Sequence, residues 1–273
     1  MEKLLAGDNC ADPKIGFYKR ALDVLNGSGI PYLVGGAYSL YHITGIYRDT
    51  KDLDIFIRAE DRTRTLNLFA EEGFETSITF PHWLAKVVSE GYLVDIIFNS
   101  GNAISEVDEQ WFQYAEEGKV LGVPVRFVPA EEMIWSKGFI MERERFDGAD
   151  VNHILLARGA SLDWKRLLDR FSSHWRILFS HLVLFGFVYP SERNLVPEWV
   201  MRELMARLEP ELANAPAERV CRGTLISRAQ YKIDVDEHGF EDSRLIPNGK
   251  MTKKQISKWD KGAMIDGLLK RVH

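Results

Sequence analysis

The sequence predicts an α/β (α+β) protein, with a mixed β-sheet flanked by helices in the first half and a mainly helical region after it. Three observations predict this. Short apolar runs of strand character alternate with helical patterns as far as Pro129. A glycine pair, Gly35-Gly36, stands between a strand pattern and a helix pattern. Beyond Pro129 the hydrophobic period lengthens from two residues to about 3.6 and stays there. The expected domains are therefore 1–129 and 130–273, and a chain of 273 residues has room for both.

Taken in order, Pro13 to Asn26 puts Ile15, Tyr18, Ala21, Leu22 and Leu25 at helical spacing, and Asn26-Gly-Ser-Gly29 should stop the helix. Tyr32–Val34 reads as a strand, Ala37–Thr44 as a short helix closed by Gly45, and Leu53–Arg58 as a second strand. Ala59–Glu72 is expected to be helical with Leu66, Leu68 and Phe69 inward, and Phe74–Phe80 alternates weakly. Trp83–Ser89 and Tyr92–Asn99 read as an antiparallel pair turning at Glu90-Gly91. Ile104–Tyr114 is expected to be helical, and Gly118–Phe127 an edge strand or hairpin.

In the second region the helical patterns start at Ala130, carrying Met133, Ile134, Lys137 and Ile140, and continue through Val151–Ala157 with Asp150 as N-cap. Leu162–Phe171, His174–Val188 and Glu198–Leu208 follow. The stretch from Glu218 is polar, and Gly249 to Lys254 forms a basic turn before a terminal helix.

Composition narrows the class. A formal net charge of −5 argues against holding long nucleic acid by bulk electrostatics. Cys10 and Cys221 have no metal-ligand spacing, and the N-terminus lacks the apolar core of a signal peptide. Trp175 to Pro190, the longest apolar stretch, is interrupted by Arg176, Ser180 and His181 and is too short to span a bilayer. The expectation is a reduced, cytoplasmic protein with no membrane partner.

The chemistry concentrates between Pro31 and Arg58. Side chains alternate along a strand, so Asp52 and Asp54 project from one face while Leu53 and Ile55 take the other. Two adjacent carboxylates repel, and a divalent cation removes the difficulty, since Mg²⁺ is bound by one or two carboxylates and shared with substrate phosphates. Backbone without a Cβ lets a phosphate approach Gly35-Gly36, where the next helix offers N–H groups and a positive dipole end. Asp95, a lone acid in the apolar run Gly91–Asn99, joins the pair if its strand lies beside Leu53–Ile57. Three carboxylates beside a phosphate turn suit phosphoryl or nucleotidyl transfer. Tyr38, Tyr41 and Tyr47 lie near the turn, where helix-face packing competes with stacking on a base. His174 and His181 fall on one helical face, too far apart for a zinc site without a third ligand.

Gly35-Gly36, Asp52-x-Asp54 and Asp95 within an apolar strand resemble the DNA polymerase beta-like nucleotidyltransferase superfamily. The lead-in Arg48-x-Thr50-Lys51-Asp52-Leu53-Asp54 is most similar to its small bacterial branch, which includes toxin components of toxin–antitoxin pairs. The resemblance covers about the first half of the chain, and Gly36 stands where a serine often follows the first glycine. It implies a nucleotidyltransferase palm and a metal-dependent transfer of a nucleoside monophosphate from a nucleoside triphosphate to a hydroxyl acceptor. It further implies two Mg²⁺ ions, replaceable by Mn²⁺, held by Asp52, Asp54 and Asp95, with Asp95 taking the acceptor's proton. Gly35, Gly36 and Ser39 would cradle phosphates; Arg48, Thr50, Lys51 and Lys137 would compensate their charge. The acceptor stays open among a small molecule, a protein and an RNA end. The rival reading is a non-catalytic scaffold that binds a nucleotide or a partner protein.

Overall fold

The computed structural model describes residues 12–213 and 215–269, so Cys10 lies outside the described residues. Two compact units divide after Pro129. The first is built on a seven-stranded mixed sheet. Helix α1 (Pro13–Ser28) is opened by Asp12, whose side chain accepts from the Lys14 N–H. It runs through Asn26, Gly27 and Ser28, two residues past the last expected helical residue, and is capped by Gly29 in the left-handed conformation (φ 67°), the glycine that ends the expected stop Asn26-Gly-Ser-Gly29. Strand β1 (Leu33–Val34), helix α2 (Gly36–Thr44) and strand β2 (Asp52–Phe56) follow. Gly45 closes α2, its N–H donating to Tyr41 O at 2.7 Å.

A single 3₁₀ turn leads into α3 (Arg62–Glu71), which buries Thr65, Leu66 and Phe69. Leu68, expected inward, is only half-buried; Thr65 takes the inward position and bonds back to Asp61 O at 2.9 Å. Strands β3 (Glu75–Phe80), β4 (Leu84–Ser89) and β5 (Tyr92–Ile97) form a meander, with Glu90 (φ 51°) and Gly91 (φ 86°) making the expected two-residue turn.

The expected helix over Ile104–Tyr114 is mostly absent. Ser100 Oγ and Asn102 Oδ1 accept the N–H groups of Ile104 and Ser105, and Ala103 is left-handed (φ 61°). Side chains thereby compete with helical bonds for the same donors. Only the short α4 (Glu109–Gln113) forms, capped by Asp108. Strands β6 (Glu116–Val120) and β7 (Val123–Phe127) make the last hairpin.

The strand order is β3-β4-β5-β2-β1-β7-β6. Strand β2 pairs parallel with β5 and β1 pairs parallel with β7; the other contacts are antiparallel. Leu53, Ile55, Val94 and Ile96 join Tyr18, Leu22 and Leu25 of α1 and Phe69 of α3 in one core. Burying that face of β2 and β5 against helices turns their acidic positions to the other face.

The second unit carries helices α5 (Ala130–Gly138), α6 (Gly148–Arg158), α7 (Trp164–Phe171), α8 (Trp175–Val188) and α9 (Glu198–Leu208). Its core includes Ile134, Ile154, Leu167, Leu178, Phe185 and Leu204. Arg166 is buried between Glu131 and Glu132, and Arg170 reaches Glu132 at 3.1 Å. Asp150, expected as an N-cap, lies inside the first turn of α6, where it binds Lys137 instead. His181 is buried with Nε2 2.9 Å from Gly138 O, so it serves packing within this unit. Beyond α9, β8 (Val220–Cys221) pairs with β9 (Glu241–Asp242), and α10 (Lys232–Asp236) lies between them in sequence. The basic turn precedes the terminal helix α11 (Lys253–Leu269), and buried Arg244 joins Asp242 to Asp260. Among the described residues no helix is long and apolar enough to cross a membrane.

Candidate functional site

Register assembles the carboxylates. Asp54 on β2 stands directly beside Asp95 on β5, and Asp52 is two residues back along the same face. All three are half-buried, and ligand oxygens from the three lie within 4.8 Å of one another. An all-oxygen donor set of this size suits Mg²⁺, Mn²⁺ or another hard divalent cation.

The glycine turn is built against this cluster. The Gly35 N–H donates to Asp54 O at 2.9 Å, which continues the β1–β2 ladder by one residue. A Cβ on Gly35 would meet the Phe56 ring at 2.2 Å, and one on Gly36 would lie 1.7 Å from Asp54 Oδ2. Gly36 is also left-handed (φ 55°). Both positions therefore require glycine, for space at each and for backbone conformation at Gly36. Helix α2 starts here, and its first-turn N–H groups lack intrahelical acceptors.

A polar support surrounds Asp52 and Asp95. Thr50 Oγ1 donates to Asp52 Oδ1 at 2.7 Å, while Thr50 O accepts a hydrogen bond from Lys14 Nζ. Lys14 also lies 3.6 Å from Asp49. On β4, Lys86 stands opposite Asp95 and donates to its Oδ1 at 2.7 Å. Burial raises the Asp95 carboxyl above the ordinary range; the bond and charge of Lys86 oppose this, and the charge of Asp52 adds to it.

The residues expected from sequence divide accordingly. Asp52, Asp54, Asp95, Gly35 and Gly36 come together. Arg48 and Lys51 are exposed on the segment leading into β2. Three others have partners within the protein. Ser39 is fully buried, and its hydroxyl donates to Val128 O at 2.9 Å, which ties α2 to the end of β7 and corrects the expectation that it cradles a phosphate. Thr50 orients Asp52. Lys137 is held at 2.7 Å by both Asp147 and Asp150 within the helical unit. Tyr38 and Tyr41 line a cavity of about 300 Å³ with His42, Lys119 and Phe127, whereas Tyr47 is exposed.

Sequence reasoning missed Lys14 and Lys86. Lys86 had a usable signal: it lies between buried Ala85 and Val87, so its side chain leaves by the opposite face. Its partner, however, depends on a register that the sequence does not print.

The model of a family described as "Nucleotidyl transferase of unknown function (DUF2204)" matches residues 15–170, more than half of the chain. No curated protein matches by sequence. Among solved structures, that of the antibiotic-resistance factor ANT(2'')-Ia in solution is 19% identical with a TM-score of 0.44, over 61% of this chain and 95% of that one. Lincomycin-bound lincosamide antibiotic adenylyltransferase LnuA is 16% identical with a TM-score of 0.37, over 52% of this chain and 96% of that one. An antigenic nucleotidyltransferase-like protein from Paracoccidioides brasiliensis is 17% identical with a TM-score of 0.44, over 68% and 92% respectively.

Proposed function

The chain belongs to the DUF2204 family of nucleotidyl transferases, and from that premise we propose that it moves a nucleoside monophosphate from a nucleoside triphosphate to a hydroxyl acceptor in a divalent-metal-dependent reaction. The observation that carries this reading is the in-register pair Asp54 and Asp95, with Asp52 on the same face and Gly36 against Asp54 Oδ2. The bond formed joins the acceptor oxygen to the α-phosphorus; the bond broken releases pyrophosphate.

Asp52, Asp54 and Asp95 would hold the ions, Mg²⁺ by preference, with Mn²⁺ as a substitute. Bound there, divalent cations supply charge neutralisation to the triphosphate and acidify a coordinated hydroxyl. The chain's own residues do the rest. Thr50, itself held by Lys14, fixes the Asp52 carboxylate in one orientation, as outer hydrogen bonds do for metal-binding groups. With the Gly35 N–H committed to Asp54 O, the turn offers the phosphates the first-turn N–H groups of α2, from Gly36 on, without a glycine side chain in the way. Arg48 and Lys51 compensate the charge that grows on the departing pyrophosphate. Asp95, the third carboxylate of the cluster, would take the acceptor's proton.

The test is pyrophosphate release from each nucleoside triphosphate with Mg²⁺, presented with small-molecule, protein and RNA-end acceptors. The wild-type chain should release pyrophosphate with one acceptor class and lose the activity with EDTA. Asp54→Asn should release none while keeping its circular-dichroism spectrum. Equal release by that variant contradicts the proposal. Binding of a triphosphate without turnover for any acceptor favours the non-catalytic scaffold instead.

A further inference from the structure

Lys86 is a cation that meets the carboxylate cluster from within the sheet. It lies directly across from Asp95 in the β4–β5 pairing, and its Nζ is 2.7 Å from Asp95 Oδ1. The Lys86 side chain keeps 28% of its exposure and that of Asp95 only 14%, so solvent screens this pair less than a surface bridge. Buried Ala85 and Val87 on either side take the opposite face, which sends the Lys86 side chain to the face that carries Asp95. Three carboxylates whose oxygens lie within 4.8 Å repel one another when no cation is present. Lys86 supplies one positive charge in that state. The same charge opposes a divalent ion that arrives to claim Asp95.

We propose that Lys86 is a positioning residue that stands in for a metal ion: it neutralises and orients Asp95 while the cluster is empty of divalent cations, gives up that carboxylate when one binds, and so sets the cluster's affinity for divalent ions. The inference rests on the metal-site reading of Asp52, Asp54 and Asp95, and goes beyond it by assigning the competition to a named side chain. It accounts for how the sheet tolerates three clustered acids before any ligand arrives. It also means that metal binding is weaker than the three carboxylates alone would give.

The test uses the full chain with two neutral variants. Lys86→Met keeps the apolar stem and removes the ammonium; Lys86→Gln keeps a hydrogen-bond donor but no charge. Mn²⁺ binding is titrated without nucleotide, following free Mn²⁺ by electron paramagnetic resonance, and thermal unfolding is recorded in EDTA and in Mn²⁺. Both variants should bind Mn²⁺ at least about tenfold more tightly than wild type, the factor given by about 1.4 kcal/mol of relieved repulsion. Both should melt lower than wild type in EDTA and gain more than wild type does from Mn²⁺. Wild-type or weaker Mn²⁺ affinity in the variant that folds overturns the stand-in role, because a lysine serving only strand structure would leave the affinity unmoved. Tighter binding in Lys86→Met alone also overturns it, since the donor rather than the charge would then be at work. If wild type binds no Mn²⁺ and behaves like Asp54→Asn, the metal-site reading falls, and the inference with it.

Discussion

Gly36 and Asp54 are packed so closely that a single added carbon on the glycine would overlap the aspartate carboxylate, 1.7 Å from Oδ2. The glycine turn and the acidic cluster are therefore in direct contact, with no room between them for a side chain at position 36. Gly36→Ala is expected to destabilise the first unit by about 1–3 kcal/mol through its left-handed backbone and this clash. Urea denaturation measures the loss, and a Mn²⁺ titration of the folded fraction should show weaker binding, because Asp54 must turn away. Wild-type values in both would mean that the turn and the cluster are independent.

Thr50 offers a milder probe of the same cluster. Thr50→Val keeps the shape and removes the 2.7 Å bond to Asp52 Oδ1. Loss of an outer partner of a metal-binding carboxylate is expected to lower metal affinity or transfer by about 10- to 100-fold. Stability should change by only about 1 kcal/mol, the net worth of an ordinary hydrogen bond. A large loss of stability with unchanged metal affinity would recast Thr50 as a loop residue.

Lys137 is predicted to matter for folding. It is held by Asp147 and Asp150, with side-chain exposures of 13%, 8% and 5% respectively. Lys137→Met leaves two buried carboxylates short of a partner, although Arg145 still reaches Asp147. The expected cost is about 3–5 kcal/mol. Burial alone would raise the Asp147 carboxyl, but the bonds and charges of Arg145 and Lys137 outweigh it and hold the group below the ordinary range. A depressed folded-state value means stability that is fully present above the unfolded carboxyl's pKa of about 4 and is lost as pH falls through the folded value. Wild type should therefore lose stability steeply below about pH 4, and Lys137→Met should lose less over the same range. Parallel profiles would show that the lysine does not set the Asp147 proton affinity.

How much of this was legible depends on the range of the interactions involved. Asp52 and Asp54 were readable because strand alternation is local, and Asp95 because a lone acid stands out in an apolar run. The Glu90-Gly91 turn was readable from its residue types. The segment after β5 was not, because Ser100 and Asn102 capture N–H groups that a helix would have used. What Ser39 and Lys86 bind is beyond the sequence for a different reason. Their partners, Val128 and Asp95, are fixed only when β7 meets α2 and β4 meets β5. Lys137 fits a phosphate contact by its place after the sheet, but Asp147 and Asp150 at the start of α6 hold it.

The most direct test of the central claim is calorimetric titration of the chain with each nucleoside triphosphate, with and without Mg²⁺, beside the double variant Asp52→Asn/Asp54→Asn. The account predicts binding that requires Mg²⁺, favours a particular triphosphate and disappears in the variant. Binding of equal strength in the variant, or no binding of any triphosphate by the wild-type chain, would contradict it.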